Sequence, residues 1–344
     1  MKKVLITGIT GQDGYYLTKL LLEKGYEIHG IVRRNSQHSL GNLRYLSEEE
    51  REKITLHWGD ITDSLFIDNV MRSVQPDEVY HLAAQSFVGF SFENPKFTYD
   101  VNIGGTLNMV NAVKEHSPFS RFYFAATSEL YGKAQEIPQK ETTPFYPRSP
   151  YGVSKLAGFW TVKNYRESYD LFMSNGILFN HESPMRGPEF VTRKITLGVA
   201  RIYYGIQECL ELGNLNAKRD WGFAGDYVYG MWKMLQHHKP DDFVLATNEA
   251  HSVREFAEEA FKVAGIDIEW EGEGINEVGR DAKSGKVLVK VNPKYFRPCE
   301  VDLLIGDYSK AKRELGWEPK TKFKDLVKMM VEADLERVGK EIKG

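Results

Sequence analysis

With two cysteines in 344 residues, Cys209 and Cys299, the chain cannot build a disulfide framework or a four-ligand zinc site, and its thiols suit a reducing compartment. Neither sign of charge dominates. The 45 Lys and Arg against 48 Asp and Glu leave a net charge of −3, without the basic excess of a nucleic-acid binder. No apolar run approaches the ~20 residues of a membrane span. Between Lys3 and Gly8 stand just Val4, Leu5, Ile6 and Thr7, too short a stretch for a secretory signal. Internal repeats, low-complexity tracts and Pro-rich linkers are also missing. These absences predict a cytoplasmic globular protein without partners among nucleic acids or membranes. What is present supplies a large core: 42% hydrophobic residues, including 19 Phe, 18 Tyr and 6 Trp, in a length that suits one large domain or two modest ones.

The first half alternates short β-branched runs with helical patterns. Val4–Thr7, Glu27–Val32, Ile54–Trp58, Val79–Leu82 and Phe122–Ala126 read as strands. Asp13–Lys24 carries Leu17, Leu20 and Leu21 at helical spacing and stops at Gly25; Ser64–Val74, with Asp63 as N-cap, and Phe97–His116 are further helices. Such alternation predicts an α/β fold, a Rossmann-like doubly wound parallel sheet, over residues 1–180. Residues 181–344, less regular and interrupted around Glu271–Gly285, are expected to form mainly a smaller α/β substrate domain. A return segment near 215–250 rejoins the first domain, and helices Ser309–Leu315 and Phe323–Glu336 close the chain. The connection Asn35–Leu46 is long for this fold, and is either a functional flap or a subunit contact.

Thr7-Gly8-Ile9-Thr10-Gly11-Gln12-Asp13-Gly14 follows a strand and opens a helix. Glycines at Gly8, Gly11 and Gly14 permit a tight turn and close backbone approach to a diphosphate, which the free N–H groups of the helix then receive. Thr10, Gln12 and Asp13 belong to the same cradle. An NAD-binding chain would offer a carboxylate at the end of the second strand. Here stand Arg33 and Arg34, cations that suit the 2′-phosphate of NADP. Asp60, after the third strand, suits the adenine amine or a helix cap, and the small side chains of Ala83, Ala84, Gln85 and Ser86 allow close approach of a dinucleotide.

Tyr151 and Lys155 lie four residues apart at the start of a helix, one above the other. The ammonium is expected to draw the phenol below its ordinary pKa of ~10 for proton removal from a sugar hydroxyl. Thr127 ends the fifth strand and can hold the oxygen that Tyr151 serves. Glu129, two residues on, is either a salt-bridged structural carboxylate or a base. A 4-keto sugar acidifies its C5 proton, and a carboxylate that removes it expels the C6 hydroxyl.

Taken together, these residues resemble the extended short-chain dehydrogenase/reductases, and more closely the GDP-mannose 4,6-dehydratase family. The resemblance runs through nearly the whole chain: Thr7–Gly14, Arg33-Arg34, Glu78–Ser86, Thr127–Gly132, Glu136–Pro150, Tyr151/Lys155, Asn180–Pro184, Phe190–Lys194, Arg219–Gly222 and Tyr295–Pro298. The strings Asn180-His181-Glu182-Ser183-Pro184 and Thr127-Ser128-Glu129-Leu130-Tyr131-Gly132 are the specific ones; the glycine loop and Tyr-x-x-x-Lys alone mark the superfamily. The resemblance implies NADP as cofactor, GDP-mannose as substrate, and an internal redox cycle that oxidises C4, eliminates water across C5 and C6, and returns hydride to C6. The product is then GDP-4-keto-6-deoxymannose, a precursor of GDP-fucose and related deoxysugars. It further implies cofactor contacts from Ile61, Leu82, Tyr99, Lys155, His181 and Arg186. The implied substrate contacts come from Ser86, Thr127, Ser128, Asn180, Val191, Lys194, Arg219, Arg280, Arg297 and Glu300. No metal is implied. Some related nucleotide-sugar dehydratases carry Asp where this chain has Ser128, so the group that protonates the leaving hydroxyl is open among Glu129, Tyr151 and water. The family's oligomers imply a homodimer or homotetramer, with the Arg34–Leu46 loop reaching a neighbour.

Two rival readings stand beside this one. An epimerase or 4-ketosugar reductase on the same fold would keep Tyr151 and Lys155 but have little use for Glu129. A cofactor-sensing regulator would be expected to have lost Thr127, Tyr151 or Lys155, and all three are intact.

Overall fold

Runs of β-branched and aromatic residues, buried on both faces, form the centre of the molecule. The computed structural model of the chain describes residues 1–344 except 35, 37, 38, 297–300, 302 and 344. In chain order the first strands are β1 (Lys3–Thr7), β2 (Glu27–Val32), β3 (Ile54–Trp58), β4 (Glu78–His81), β5 (Arg121–Thr127) and β6 (Met173–Leu178). With Asp242–Leu245 they make a seven-stranded sheet in the order Asp242–Leu245, β6, β5, β4, β1, β2, β3. All six pairings are parallel. This is the doubly wound sheet that the β–α alternation predicts. Its order reverses between β1 and β4, and in open α/β sheets the carboxyl end of such a switch point is where ligands bind.

Helices cover both faces. On one side Ser64–Val74, Gly105–His116 and Pro150–Tyr169 bury Ile67, Met71, Met109, Val113, Phe159 and Val162 against the sheet. On the other, α1 (Gln12–Glu23) packs with Ala224–Gln236, joining Leu17 and Leu21 to Tyr227, Val228 and Met231. Asp63 does cap its helix, accepting from the Phe66 N–H at 3.1 Å. The helix expected over Phe97–His116 is instead broken. Pro95–Tyr99 leads into a π-helical turn, Asp100–Gly104, before Gly105–His116 resumes. The wider turn carries Asn102 inward, where it is 2% exposed and fully hydrogen-bonded.

The later part of the chain has its own core, with Ile195, Val199, Phe256, Phe261, Val327 and Met330 at its centre. The stretch Glu271–Gly285 is more regular than its composition suggests. Ile268–Glu271 pairs antiparallel with Val278–Asp281, in a four-stranded sheet completed by Val287–Val291 and Leu210–Leu212. The last helix runs Phe323–Lys343, past the expected end at Glu336. Among the described residues no helix is long and apolar enough to cross a membrane.

Candidate active site

Two carboxyl edges of the sheet meet at the switch point. Gly8 follows β1 with φ +72°, and a Cβ placed there would lie 2.8 Å from the Ala83 nitrogen just beyond β4. A side chain would close the gap between the strands, so the turn requires glycine on two counts. The residue before α1, Gly11, has extended backbone and no side-chain cap, which leaves the first N–H groups of a twelve-residue helix facing the gap. Leu82, Ala83 and Ala84 line the other side, half-buried. A narrow backbone cradle with free N–H donors fits a dinucleotide diphosphate.

The side chains in and around this cradle are placed unequally. Gln12 is committed inside the protein: it donates to the His181 carbonyl at 3.0 Å and accepts from the Ser183 hydroxyl at 2.8 Å. Asp13 meets His181 Nε2 at 2.9 Å, while His181 Nδ1 donates to the Phe179 carbonyl at 2.8 Å. The imidazole also stacks on Tyr227, with centroids 4.7 Å apart. Burial disfavours charge on both partners, yet each sustains the other. The carboxyl lies below its usual range and the imidazole above its own. Gln12 and Asp13 therefore offer a ligand their backbone N–H groups, and the His181 ring serves as a clamp between α1 and the later chain. Gln85 is likewise used locally, its amide donating to Thr98 and accepting from the Phe87 N–H.

Arg33 and Arg34 are exposed just past β2. Further along, Asn42 ties the described part of the loop to its own chain. The Asn42 N–H donates to the Thr10 carbonyl at 2.9 Å, and its side-chain amide donates to the Met185 carbonyl at 2.8 Å. Asp60, next to buried Ile61, accepts from the Thr62 N–H and hydroxyl, and with Tyr99 lines an open cavity of about 730 Å³. Ser86 is exposed beside this edge.

The reacting residues come from β5 and the Pro150–Tyr169 helix. Ser149 caps that helix, accepting from the Gly152 N–H at 3.0 Å, and Pro150 takes its first position. Gly152 lets the helix start pack on the turn after β5: a Cβ there would lie 2.9 Å from the Glu129 carbonyl oxygen. Thr127, Ser128, Glu129 and Tyr151 are thereby gathered at one place. Thr127 accepts from the Glu129 N–H at 3.2 Å and hydrogen-bonds the phenol of Tyr151. Glu129 is 7% exposed. The expected lowering of Tyr151 by Lys155 is not what this arrangement produces. Burial pushes the phenol up to about 12; the hydrogen bond from Thr127 works against this and the nearby Glu129 charge adds to it. Lys155 Nζ donates to the Ala125 carbonyl at 2.8 Å and lies 4.9 Å from the centroid of the Phe124 ring. Burial lowers Lys155 itself to about 8.

A buried network supports these groups, and its members were not singled out by the sequence. Asn102 accepts from the Gln85 N–H at 2.8 Å and donates to the Gln85 carbonyl at 3.0 Å and to Ser154 Oγ at 2.9 Å. His81 bridges Thr7 and Thr106 at 2.8 and 3.1 Å. In sequence both look like ordinary interior residues, one in a strand and one in a helix; their polarity at apolar positions was the available signal.

Residues of the later chain form the opposite wall. Asn180, His181 and Glu182 pair in parallel with Trp221–Phe223. Arg186 forms an ion pair with Glu182 at 3.0 Å and lies over the Phe190 ring at 3.7 Å. Val191 and Lys194 occupy the first turn of the Val191–Tyr203 helix, with Lys194 Nζ 3.2 Å from the Tyr295 ring centroid. Arg219 donates to the Lys218 and Val301 carbonyls at 2.8 and 2.7 Å. Arg280 pairs with Glu271 at 2.6 Å across the antiparallel strands Ile268–Glu271 and Val278–Asp281. Arg297 and Glu300 lie outside the described residues. Arg193, one residue before Lys194, holds the wall in place: it is bidentate on buried Asp334 at 2.7 Å and donates to the Pro184 and Arg186 carbonyls at 2.8 Å.

Known proteins narrow the reading. A family model described as GDP-mannose 4,6 dehydratase matches residues 5–330. A GDP-mannose 4,6 dehydratase of Cricetulus griseus is 56% identical over 341 residues, 97% of this chain and 92% of that protein. One of Homo sapiens is 57% identical over 338 residues, 96% and 91% of the two chains. Among solved structures, a UDP-glucose 4-epimerase of Thermus thermophilus, complexed with NAD, aligns with a TM-score of 0.80 at 24% identity. The match covers 96% of this chain and 98% of that one, a likeness of fold.

Proposed function

The chain belongs to the GDP-mannose 4,6-dehydratase family, and we propose that it converts GDP-mannose to GDP-4-keto-6-deoxymannose and water, with NADP retained throughout the cycle. The observation that carries the reading is the placement of Glu129 beside Tyr151, close enough for its charge to bear on the phenol. Simple oxidoreduction of a sugar hydroxyl has no use for a second buried acid–base group there.

A bound nicotinamide supplies the acceptor for the C4 hydride and its later return to C6. Tyr151 takes the proton of the C4 hydroxyl, with Thr127 holding both the phenol and the sugar oxygen. The C4 ketone that results acidifies C5. Glu129 removes the C5 proton, the C6–O bond breaks, and a C5–C6 double bond forms. The leaving hydroxyl needs a proton, and with serine at Ser128 the nearest buried carboxyl that can give one is Glu129, just charged with the proton from C5. The proton that Tyr151 took from the C4 hydroxyl is then the one that returns to C5, by way of the emptied Glu129, as C6 is reduced, so the sugar loses one water and both residues regain their starting states.

Arg33 is assigned to the 2′-phosphate, with Arg34 beside it, and Asp60, Ile61 and Tyr99 to the adenosine half. Lys155 holds the ribose near nicotinamide, and Arg186 a polar group of the cofactor. Asn180, Val191, Lys194, Arg219 and Arg280 are assigned to GDP-mannose, as are Arg297 and Glu300 on the strength of the sequence. The enzyme is proposed to work in the cytoplasm, at the head of a route to deoxysugar nucleotides. Incubation of the purified protein with GDP-mannose is expected to give a product lighter by one water in mass spectrometry. An unchanged mass with altered ring stereochemistry would make it an epimerase.

A further inference from the structure

We propose that His81 is a positioning residue for Tyr151, tying the dinucleotide cradle to the first turn of the Tyr151 helix through hydrogen bonds in which the direction of every proton is fixed. Its ring is 1% exposed, between Phe122 and Phe124 at 6.0 and 5.9 Å. An apolar residue would fill that space equally well, so packing alone does not call for an imidazole.

The protons follow from counting donors. Thr106 Oγ donates to the Asn102 carbonyl at 2.6 Å, so towards His81 it can only accept, and His81 Nε2 must carry hydrogen. Thr7 Oγ accepts from the Ala83 N–H at 3.1 Å and lies 2.8 Å from His81 Nδ1, to which its own hydrogen goes when that nitrogen is bare. Both nitrogens meet hydroxyls and neither meets a carboxylate, so at this buried position the ring is neutral, with hydrogen on Nε2. Burial, aided by the Lys155 ammonium, lowers it to about 3 and keeps it so at working pH. Beyond Thr106 the chain passes to Asn102, whose amide holds the Gln85 backbone and Ser154 Oγ, and Ser154 donates to the Tyr151 carbonyl at 2.7 Å. One end is the N–H against which Gly8 packs; the other is the backbone of the proton acceptor. Removing the imidazole leaves Thr7 and Thr106 buried without this partner and frees the two ends to shift, the kind of small misplacement to which transfer chemistry is sensitive.

The inference rests on Tyr151 being the proton acceptor. His81→Phe is expected to lower kcat about tenfold, while KM for GDP-mannose and co-purified NADP change by less than about twofold. Should that variant not fold, Thr106→Val removes the same link, and Thr106→Ser, which keeps the hydroxyl, is expected to recover most of the loss. In the wild-type protein ¹⁵N NMR should show His81 protonated on Nε2 alone at pH 7. Unchanged kcat in the folded variants, a loss confined to KM or cofactor retention, or a charged or Nδ1-protonated ring would each overturn the proposal. Tyr151→Phe measured alongside separates the two readings. Turnover retained there refutes Tyr151 as acceptor, whereas turnover lost there but kept in the His81 and Thr106 variants refutes the positioning role alone.

Discussion

At the scale of single residues, the site sets groups with opposed tendencies side by side. Tyr151 is driven up by burial and Lys155 down, so phenol and ammonium, nearly equal in acidity in water, move apart without sharing a hydrogen bond. Glu129→Gln keeps the shape of the turn after β5 and removes the base. We expect it to retain NADP and to lose dehydration by roughly 10²–10⁴ in rate, followed as the water lost from GDP-mannose. Turnover at the parental rate would take Glu129 out of the chemistry. Arg33→Ala should weaken NADP far more than NAD in calorimetric titration, and equal losses for both would refute a 2′-phosphate contact. The sequence made the glycine loop, Thr127, Glu129 and the Tyr151/Lys155 spacing legible because each is local. It could not show that Lys155 turns to the Ala125 carbonyl, because that depends on how deeply the helix packs on β5.

At the scale of elements, charge pairs far apart in sequence join the cradle to the later chain. Asp13 and His181 are one such pair, 168 residues apart. Its contribution to stability is complete only between the ordinary carboxyl and imidazole values, 3.8 and 6.5. It is lost as pH falls through the lowered Asp13 value, or rises through the raised His181 value. The melting temperature of the wild type should therefore fall more between pH 6 and 9 than that of His181→Gln. Parallel curves would show that the pair carries no charge. Asp334, 0% exposed, gathers Arg193, Arg337 and the Thr196 hydroxyl. Asp334→Ala leaves a buried guanidinium without its carboxylate and should cost about 3–5 kcal/mol in urea unfolding. A loss under about 1 kcal/mol would mean that water takes its place. Helical periodicity revealed neither clamp, since it reports which face is apolar and not which distant partner a polar group finds. For the same reason Phe97–His116 read as one helix: the apolar spacing passes through Asp100–Gly104 while the hydrogen-bond register changes.

At the scale of the whole molecule, the helices that carry the site also expose apolar side chains to solvent. Phe97, Leu107, Val153 and Trp160 are each more than two-fifths exposed, on three neighbouring helices of one flank. A lone subunit would leave this face wet. Light scattering at micromolar concentration is expected to give the mass of a dimer or tetramer, and the mass of a single chain would end that expectation. The parallel sheet was the most legible feature, since five of its seven strands are contiguous runs; Met173–Leu178, with Ser, Asn and Gly inside it, and Asp242–Leu245 were not read as strands. The antiparallel ladder at Ile268–Asp281 was the least, because its strands are four residues each and mix charged and small residues with few apolar ones.

The sheet is finished by a strand that arrives late. Asp242–Leu245 lies on β6 with Ala224–Gln236 above it, both supplied after the chain has already crossed to the other wall. A fragment cut after residue 180 would end in a bare, apolar edge and would be prone to aggregation. Anyone recombining this chain with a relative, to trade one sugar preference for another, must therefore make several crossovers rather than one, and carry the stretch 224–245 along with the amino-terminal half.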